Sequence, residues 1–122
     1  MRRAVLFVLA AGAVAVAAAP APAARKAPRK TVEIHDNYYS PSKLTVRAGT
    51  IIRWHWSLDS ADVHDVKLTR APKRVRKFQS DPLAAGESFS RKLTRTGTYK
   101  FICTFHEEEM TMTIRVKAAR RR

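Results

Sequence analysis

Residues 97–116 read GTYKFICTFHEEEMTMTIRV and contain two alternating apolar and polar runs separated by a short polar stretch. The runs, residues 98–103 and 111–116, have the period of two that is typical of strands with one face against a core. In the second run, Met112 and Ile114 fall on the same face. The segment therefore predicts two strands joined by a loop.

The rest of the chain repeats this pattern in short segments separated by turn residues such as Gly49. Further strands are predicted over residues 31–35, 43–47, 50–56, 63–69 and 87–93. Within residues 50–56, Ile52, Trp54 and Trp56 share one face. No segment has the three-and-four spacing of an amphipathic helix. The sequence predicts an all-β fold, an antiparallel Greek-key β-sandwich of about seven or eight strands.

The amino terminus has the layout of a secretory signal peptide. Arg2 and Arg3 precede a mostly apolar stretch and a run of small residues that ends at Ala23. We therefore expect export to the periplasm, the cell envelope or the medium, with cleavage after Ala23. The predicted division is a signal peptide over 1–23, a flexible basic leader over 24–30, one domain over 31–117 and a basic tail over 118–122.

The chain has a large excess of positive charge. Its 24 Lys and Arg against 10 Asp and Glu give a formal charge of +14, which becomes +12 without residues 1–23. This balance predicts an acidic redox partner, or association with an anionic membrane or cell-wall surface. Nucleic acid is not expected as a partner, because the aromatic residues fall on the alternating core positions of the strands and form no basic stacking stripe. A monomer is expected.

One loop places three metal-binding side chains close together in the sequence. Cys103, His106 and Met110 lie within eight residues. Thiolate and thioether groups favour soft metals, imidazole binds both copper and zinc, and two histidines with one cysteine and a weak axial methionine form the blue-copper electron-transfer arrangement. His64, which follows a polar loop, is the best candidate for the second histidine. Because Cys103 is the only cysteine, an intramolecular disulfide is excluded.

These residues lie in a series of motifs that resembles the cupredoxins, type 1 blue copper proteins of the plastocyanin and amicyanin kind. The similar segments, in order, are residues 39–46, 49–54, 64–66, 86–90 and 97–103, followed by Cys-x-x-His-x-x-x-Met. The resemblance implies one copper ion with His64, Cys103 and His106 as equatorial ligands and Met110 as the axial ligand. It also implies a carrier of single electrons that alternates between Cu(I) and Cu(II), with His106 as the point of electron entry and exit.

The sequence departs from the family pattern at several places near these ligands. Asp65 stands where many relatives have Asn, and we expect it to accept a hydrogen bond from the Thr104 hydroxyl while its backbone N–H approaches the Cys103 sulfur. Met112 competes with Met110 as the axial ligand. An acidic run, Glu107, Glu108 and Glu109, occupies a position where relatives often have apolar residues.

Simpler interpretations and other functions stay open at this stage. His35 and His55 are expected to have surface or structural roles, and Trp54 and Trp56 to belong to the core. The alternatives to electron transfer are copper storage or delivery with the same ligands, a zinc site completed by one of the three glutamates, and a basic envelope-binding module with a structural metal. Nothing indicates an enzyme, since no nucleophile motif or acid–base pair is recognisable.

Overall fold

The structure, a computed structural model, describes residues 9–23 and 25–121 of the chain. Eight strands and no helix form in these residues, and the strands are β1 (Arg29–His35), β2 (Tyr38–Ser40), β3 (Lys43–Arg47), β4 (Thr50–Trp56), β5 (Lys67–Arg70), β6 (Ser88–Leu93), β7 (Gly97–Ile102) and β8 (Thr111–Lys117).

The predicted signal peptide lies only partly within the described residues. Arg2 and Arg3 fall outside them, and residues 9–23 are exposed and form no regular secondary structure. Among the described residues, none belongs to a helix with the length and hydropathy required to cross a membrane.

The strands form two four-stranded sheets, which confirms the predicted all-β sandwich. One sheet has the order β2-β1-β4-β6 and the other has the order β3-β8-β7-β5. The prediction of a purely antiparallel arrangement is wrong, because β1 pairs with β4 and β3 pairs with β8 in parallel. Both parallel pairs join strands that are far apart in the chain, and the chain reaches the second strand of each pair only after passing through the other sheet.

Alternating side chains of both sheets fill the core. On β4, Ile52, Trp54 and Trp56 are fully buried, as the alternation predicted. The Trp54 ring contacts three phenylalanine rings, with centroid separations of 5.2 Å to Phe101, 5.8 Å to Phe89 and 6.5 Å to Phe78. Large aromatic side chains in such tilted and edge-on arrangements contribute most of the buried apolar area of a small domain.

The strands differ from those predicted mainly at three places. The predicted strand over 63–69 begins only at Lys67, because His64 bonds to Leu83 across a single bridge instead of joining a continuous ladder. The strand β2 was not predicted, since only Tyr39 of its three residues is buried. Arg29 and Lys30 of the predicted leader belong to β1, where they lie opposite residues 51 and 52 of β4.

The connections between strands collect at two opposite ends of the sandwich. Residues 36–37, 57–66, 80–87 and 103–110 meet at one end, which we call the upper end, and hydrogen bonds link them there. At the lower end, the turn at Gly49 bonds to Leu93, residue 48 bonds to Lys117, and Pro72 lies beside Gly97.

Gly97 provides a test of the packing at the lower end. Its φ is +135°, and a Cβ atom there would lie 2.6 Å from Cγ of Pro72. Gly97→Ala should therefore lower the free energy of unfolding by about 1–3 kcal/mol, measured by denaturant titration of the metal-free protein. Gly49→Ala is the matched control, because Gly49 also has a positive φ, of +93°, but has open space around it. Equal losses in both variants would contradict the predicted clash with Pro72.

Candidate metal centre

Two imidazoles and one thiol converge at the upper end of the sandwich. The Cys103 Sγ atom lies 3.8 Å from Nδ1 of His64 and 3.9 Å from Nδ1 of His106. All three donor atoms lie within 4.8 Å of one another. His64 and Cys103 are fully buried, whereas His106 is partly exposed. The structure thus brings together three of the four ligands predicted from the sequence.

The separations of these donor atoms fit one shared metal ion. Metal–sulfur and metal–nitrogen bonds of about 2.3 Å and 2.0 Å that meet at about 120° hold the two donors about 3.7 Å apart. The same bonds at a tetrahedral angle hold them about 3.5 Å apart. The observed sulfur–nitrogen separations of 3.8 Å and 3.9 Å are nearer the trigonal value. The cluster therefore has the donors and the dimensions of a mononuclear site for a soft transition metal.

A compact loop holds the second and third donors and closes on Met110. The His106 N–H donates to the Cys103 carbonyl, the Met110 N–H donates to the His106 carbonyl, and the Cys103 N–H donates to the Met110 carbonyl. The Met110 side chain is fully buried beside this loop. Met112 is two residues further on, in β8 opposite Phe101 and within the hydrophobic core. The role of Met110 as axial ligand stays a prediction.

Four hydrogen bonds hold the backbone of His64 and its neighbour in place. His64 exchanges both of its backbone groups with Leu83, at 3.1 Å and 3.0 Å. The Trp56 indole N–H donates to the His64 carbonyl at 3.0 Å, and the buried Tyr39 hydroxyl donates to the Asp65 carbonyl at 2.8 Å. Burial of the Tyr39 hydroxyl, together with the nearby Cys103 and Asp65, raises its pKa well above the usual range, so it stays a donor. The two core aromatics on β2 and β4 thus position the first ligand.

The Asp65 carboxylate joins this segment to the ligand loop. One oxygen accepts the Thr104 backbone N–H at 2.7 Å, and the other accepts the Thr104 hydroxyl at 2.6 Å and the Gln79 amide at 3.0 Å. The carboxylate is buried and forms these three bonds with its two oxygens. The predicted bond from the Thr104 hydroxyl to Asp65 is therefore confirmed.

The environment of the thiol combines burial with several backbone donors. Burial, together with the negative charge of Asp65, raises the pKa of Cys103 in spite of the lowering by the backbone N–H groups of Asp65, Phe105 and His106. The predicted approach of the Asp65 N–H to the sulfur is among these contacts. A thiol in such a pocket becomes a thiolate most readily when a metal cation supplies the compensating charge.

Asp36 contacts the cluster, and the sequence analysis did not identify it. Its carboxylate lies 2.8 Å from Nε2 of His64 and also accepts the backbone N–H groups of Ala61 and Asp62, at 2.9 Å and 3.1 Å. The bond to His64, followed by those two N–H bonds, lowers the pKa of Asp36 to about 2. The carboxylate therefore accepts a hydrogen bond from the Nε2–H group of His64. This leaves the Nδ1 lone pair directed at the cluster, as in carboxylate–histidine–metal arrangements.

The other two histidines lie outside the cluster. His35 contacts Asp59 at 3.2 Å and stacks on Tyr38, while His55 contacts Glu33 at 2.9 Å. The carboxyl groups that a zinc site would recruit, Glu107, Glu108 and Glu109, are exposed and do not join the three clustered donors. The arrangement thus favours copper over a tetrahedral zinc site completed by a glutamate.

Comparisons with known proteins agree with this description of the fold. The family model of the cupredoxin-like domain matches residues 5–116. A reduced amicyanin variant is similar at 24% identity and a TM-score of 0.63, over 71% of this chain and 80% of amicyanin. A purple cupredoxin from Nitrosopumilus maritimus is similar at 24% identity and a TM-score of 0.62, over 71% and 98%.

A larger protein contains a similar domain. A copper-containing nitrite reductase from Thermus scotoductus is 25% identical with a TM-score of 0.65, over 85% of this chain but only 25% of the reductase. No curated protein sequence matches the chain.

Replacement of Asp36 tests its contribution to metal binding. Asp36→Ala removes the acceptor for the His64 Nε2 proton, and we expect the affinity for Cu(II) to fall by about 10–100-fold, measured by competition with a chromophoric chelator. Asp36→Asn keeps an oxygen acceptor and should recover most of the affinity. Asp59→Ala is the matched control, because Asp59 lies at the same end of the sandwich but bonds to His35. An equal loss in the Asp59 variant would contradict a specific role for Asp36.

Proposed function

The chain belongs to the cupredoxin-like family, and from this premise we propose that it is a small blue copper protein that carries single electrons between redox partners. The proposed ligands of the one type 1 copper ion are His64, Cys103 and His106, with Met110 in the axial position. The observation that supports this proposal most directly is the buried thiol held 3.8 Å and 3.9 Å from two imidazole nitrogens. Bound copper would supply the one-electron chemistry by alternating between Cu(I) and Cu(II).

The surroundings of the cluster suit fast electron transfer. Hydrogen bonds from Tyr39 and Trp56 hold the backbone at His64, and the Asp65 carboxylate ties that segment to the ligand loop. A site whose ligands are already fixed changes little when an electron is gained or lost, so little energy is spent on rearrangement. His106 is the partly exposed ligand and is the proposed point of electron entry and exit.

We propose a carrier and not an enzyme. The similar nitrite reductase is a much longer protein, of which this chain spans about a quarter. A groove of about 390 Å³ lies between the 74–78 segment and β6, away from the metal cluster. Copper storage or delivery with the same ligands is the alternative, and it differs in that it needs no reversible electron exchange.

The cellular setting follows from the amino terminus. We propose export by the signal peptide over residues 1–23, with cleavage after Ala23, to the periplasm, the envelope or the medium, and a monomeric domain over 31–117 followed by a basic tail. A free thiol is prone to oxidation outside the cytoplasm, and a copper-bound thiolate at Cys103 is protected from it. The presence of this single cysteine is thus consistent with an exported copper protein.

The basic groove supports an accessory interaction with anionic partners. It is lined by Arg74, Arg76, Lys77, Arg91, Lys92 and Arg95 around the Phe78 and Tyr99 rings. The Arg91 guanidinium lies 4.4 Å from the centroid of Phe89 and 5.3 Å from that of Phe78, which orders it at the rim. We propose this groove as the surface for the acidic protein, anionic membrane or cell-wall polymer expected from the net charge.

Copper titration tests the proposed function. Adding Cu(II) to the protein without residues 1–23 should produce an intense blue thiolate-to-copper absorption band and a narrow copper hyperfine splitting in electron paramagnetic resonance. Cys103→Ala should abolish both signals, because the thiolate is their source. His55→Gln is the control and should retain them, since His55 contacts Glu33 outside the cluster.

The same sample separates the alternatives. Ascorbate should bleach the band and a mild oxidant should restore it, as a one-electron carrier requires. A protein that binds copper but does not cycle would support storage or delivery. A colourless protein that retains zinc, or binds neither metal, would contradict the proposal.

A further inference from the structure

The charged residues are separated between the two ends of the sandwich. Nine of the ten Asp and Glu lie in the four connections of the upper end, and they are Asp36, Asp59, Asp62, Asp65, Asp81, Glu87, Glu107, Glu108 and Glu109. These four connections, residues 36–37, 57–66, 80–87 and 103–110, contain no Lys or Arg. The tenth acidic residue, Glu33, lies in β1 beside His55.

The lower end has the opposite composition. Its connections, residues 48–49, 71–76 and 94–96, contain Lys73, Arg74, Arg76 and Arg95 and no acidic residue. A chain with a formal charge of +14 therefore has an acidic metal-binding end and a basic opposite end. The net charge alone does not describe what a partner meets at the metal centre.

The acidic residues nearest the exposed ligand are available for contact. Glu107, Glu108 and Glu109 directly follow His106 and are exposed, and Asp59 and Asp62 are exposed on the neighbouring connection. We call these five residues the acidic collar. Large apolar side chains are exposed at the same end, with relative accessibilities of 82% for Leu58, 46% for Val63 and 52% for Phe105. Exposed apolar groups within a charged rim are typical of a protein-binding surface.

Distance isolates this surface from the basic end. The strand β8 has seven residues and runs from the ligand loop to the lower end. At about 3.3 Å per residue this separates the two ends by roughly 23 Å, whereas charges are screened over about 8 Å at physiological ionic strength. A molecule in contact with His106 therefore interacts with the acidic collar and only weakly with the arginines of the lower end.

We propose that the metal end docks a redox partner whose contact face is positively charged, with Glu107, Glu108 and Glu109 as its main electrostatic contacts. The proposal rests on the proposed function in one respect, since the partner exchanges its electron through His106. This proposal differs from the prediction based on net charge, which is that the redox partner is acidic. Complementary charges at a docking face raise the association rate and exclude partners of the wrong sign.

Paramagnetic mapping tests the surface without copper. The probes are the redox-inert complexes hexaamminechromium(III), a trication, and hexacyanochromate(III), a trianion, added to the metal-free 15N-labelled protein without residues 1–23. We expect the trication to broaden the amide signals of residues 104–109 and the trianion to broaden those around Arg74 and Arg95. Trianion broadening at residues 104–109, or no broadening there by the trication, would overturn the proposal.

Electron-transfer rates test the same surface in the copper-loaded protein. The Cu(I) protein gives one electron to tris(phenanthroline)cobalt(III), which becomes cobalt(II), or to hexacyanoferrate(III), which becomes hexacyanoferrate(II), and no proton or atom is transferred. Added salt should slow the reaction with the cationic complex and accelerate the reaction with the anionic one. The opposite pair of salt effects would show that net charge governs docking, and would overturn the proposal.

Two variants with equal changes in charge number locate the effect. The first variant should react with the cationic complex about tenfold more slowly at low ionic strength; it combines Glu107→Gln, Glu108→Gln and Glu109→Gln. The second variant should react with the cationic complex at a rate within about twofold of that of the unmodified protein; it combines Arg74→Gln, Arg76→Gln and Arg95→Gln. Both variants should keep the blue band, which shows that the site is intact. An intact band with an unchanged rate in the glutamate variant would overturn the docking proposal. Absence of the blue band in the unmodified, copper-loaded protein would instead overturn the proposed function.

Discussion

The buried carboxylate of Asp65 connects the two parts of the chain from which the metal centre is built. It lies next to His64 in the sequence, and it accepts both the backbone N–H and the hydroxyl of Thr104, which lies next to Cys103. Removal of this carboxylate would leave the backbone N–H and the hydroxyl of the partly buried Thr104 without an acceptor, each at a cost of about 1–3 kcal/mol. This side chain therefore helps to set the distance between the His64 imidazole and the Cys103 thiol.

The rest of the sandwich supports that connection. Core aromatics of β2 and β4 donate hydrogen bonds to the carbonyls of His64 and Asp65, so the hydrophobic packing that forms the fold also positions His64. Asp36 acts on the opposite edge of the imidazole and fixes which nitrogen faces the thiol. Rigidity, low dielectric and a defined tautomer at the centre all result from contacts made by residues that do not bind metal themselves.

Much of this arrangement could be predicted from local patterns. Alternation identified the buried face of β4, and the spacing of Cys103, His106 and Met110 on a loop between two strands identified the ligand loop. The pairing of the strands could not be predicted in the same way. The chain passes through the other sheet between β1 and β4, so their parallel pairing depends on the topology of the whole domain and not on a local pattern. Asp36 could not be identified in this way either, since its partner His64 lies 28 residues away and nothing local in the sequence marks the pair.

The separation of charge between the two ends also could not be predicted from local sequence patterns. Composition gives the excess of positive charge correctly, but the two ends of the molecule become distinct only when the connections are assigned to them. Acidic residues that are scattered from Asp36 to Glu109 in the sequence then lie at one end of the sandwich. The account of electron exchange at that end depends on a surface that no single segment of sequence contains.

The central claim is that one copper ion is held by His64, Cys103 and His106 in a site that the protein fixes in advance. X-ray absorption spectroscopy of the copper-loaded protein in both oxidation states tests it most directly. The account predicts one short copper–sulfur bond and two copper–nitrogen bonds, with distances that change little between Cu(II) and Cu(I). A first shell of nitrogen and oxygen alone, or a change of ligand number on reduction, would contradict it.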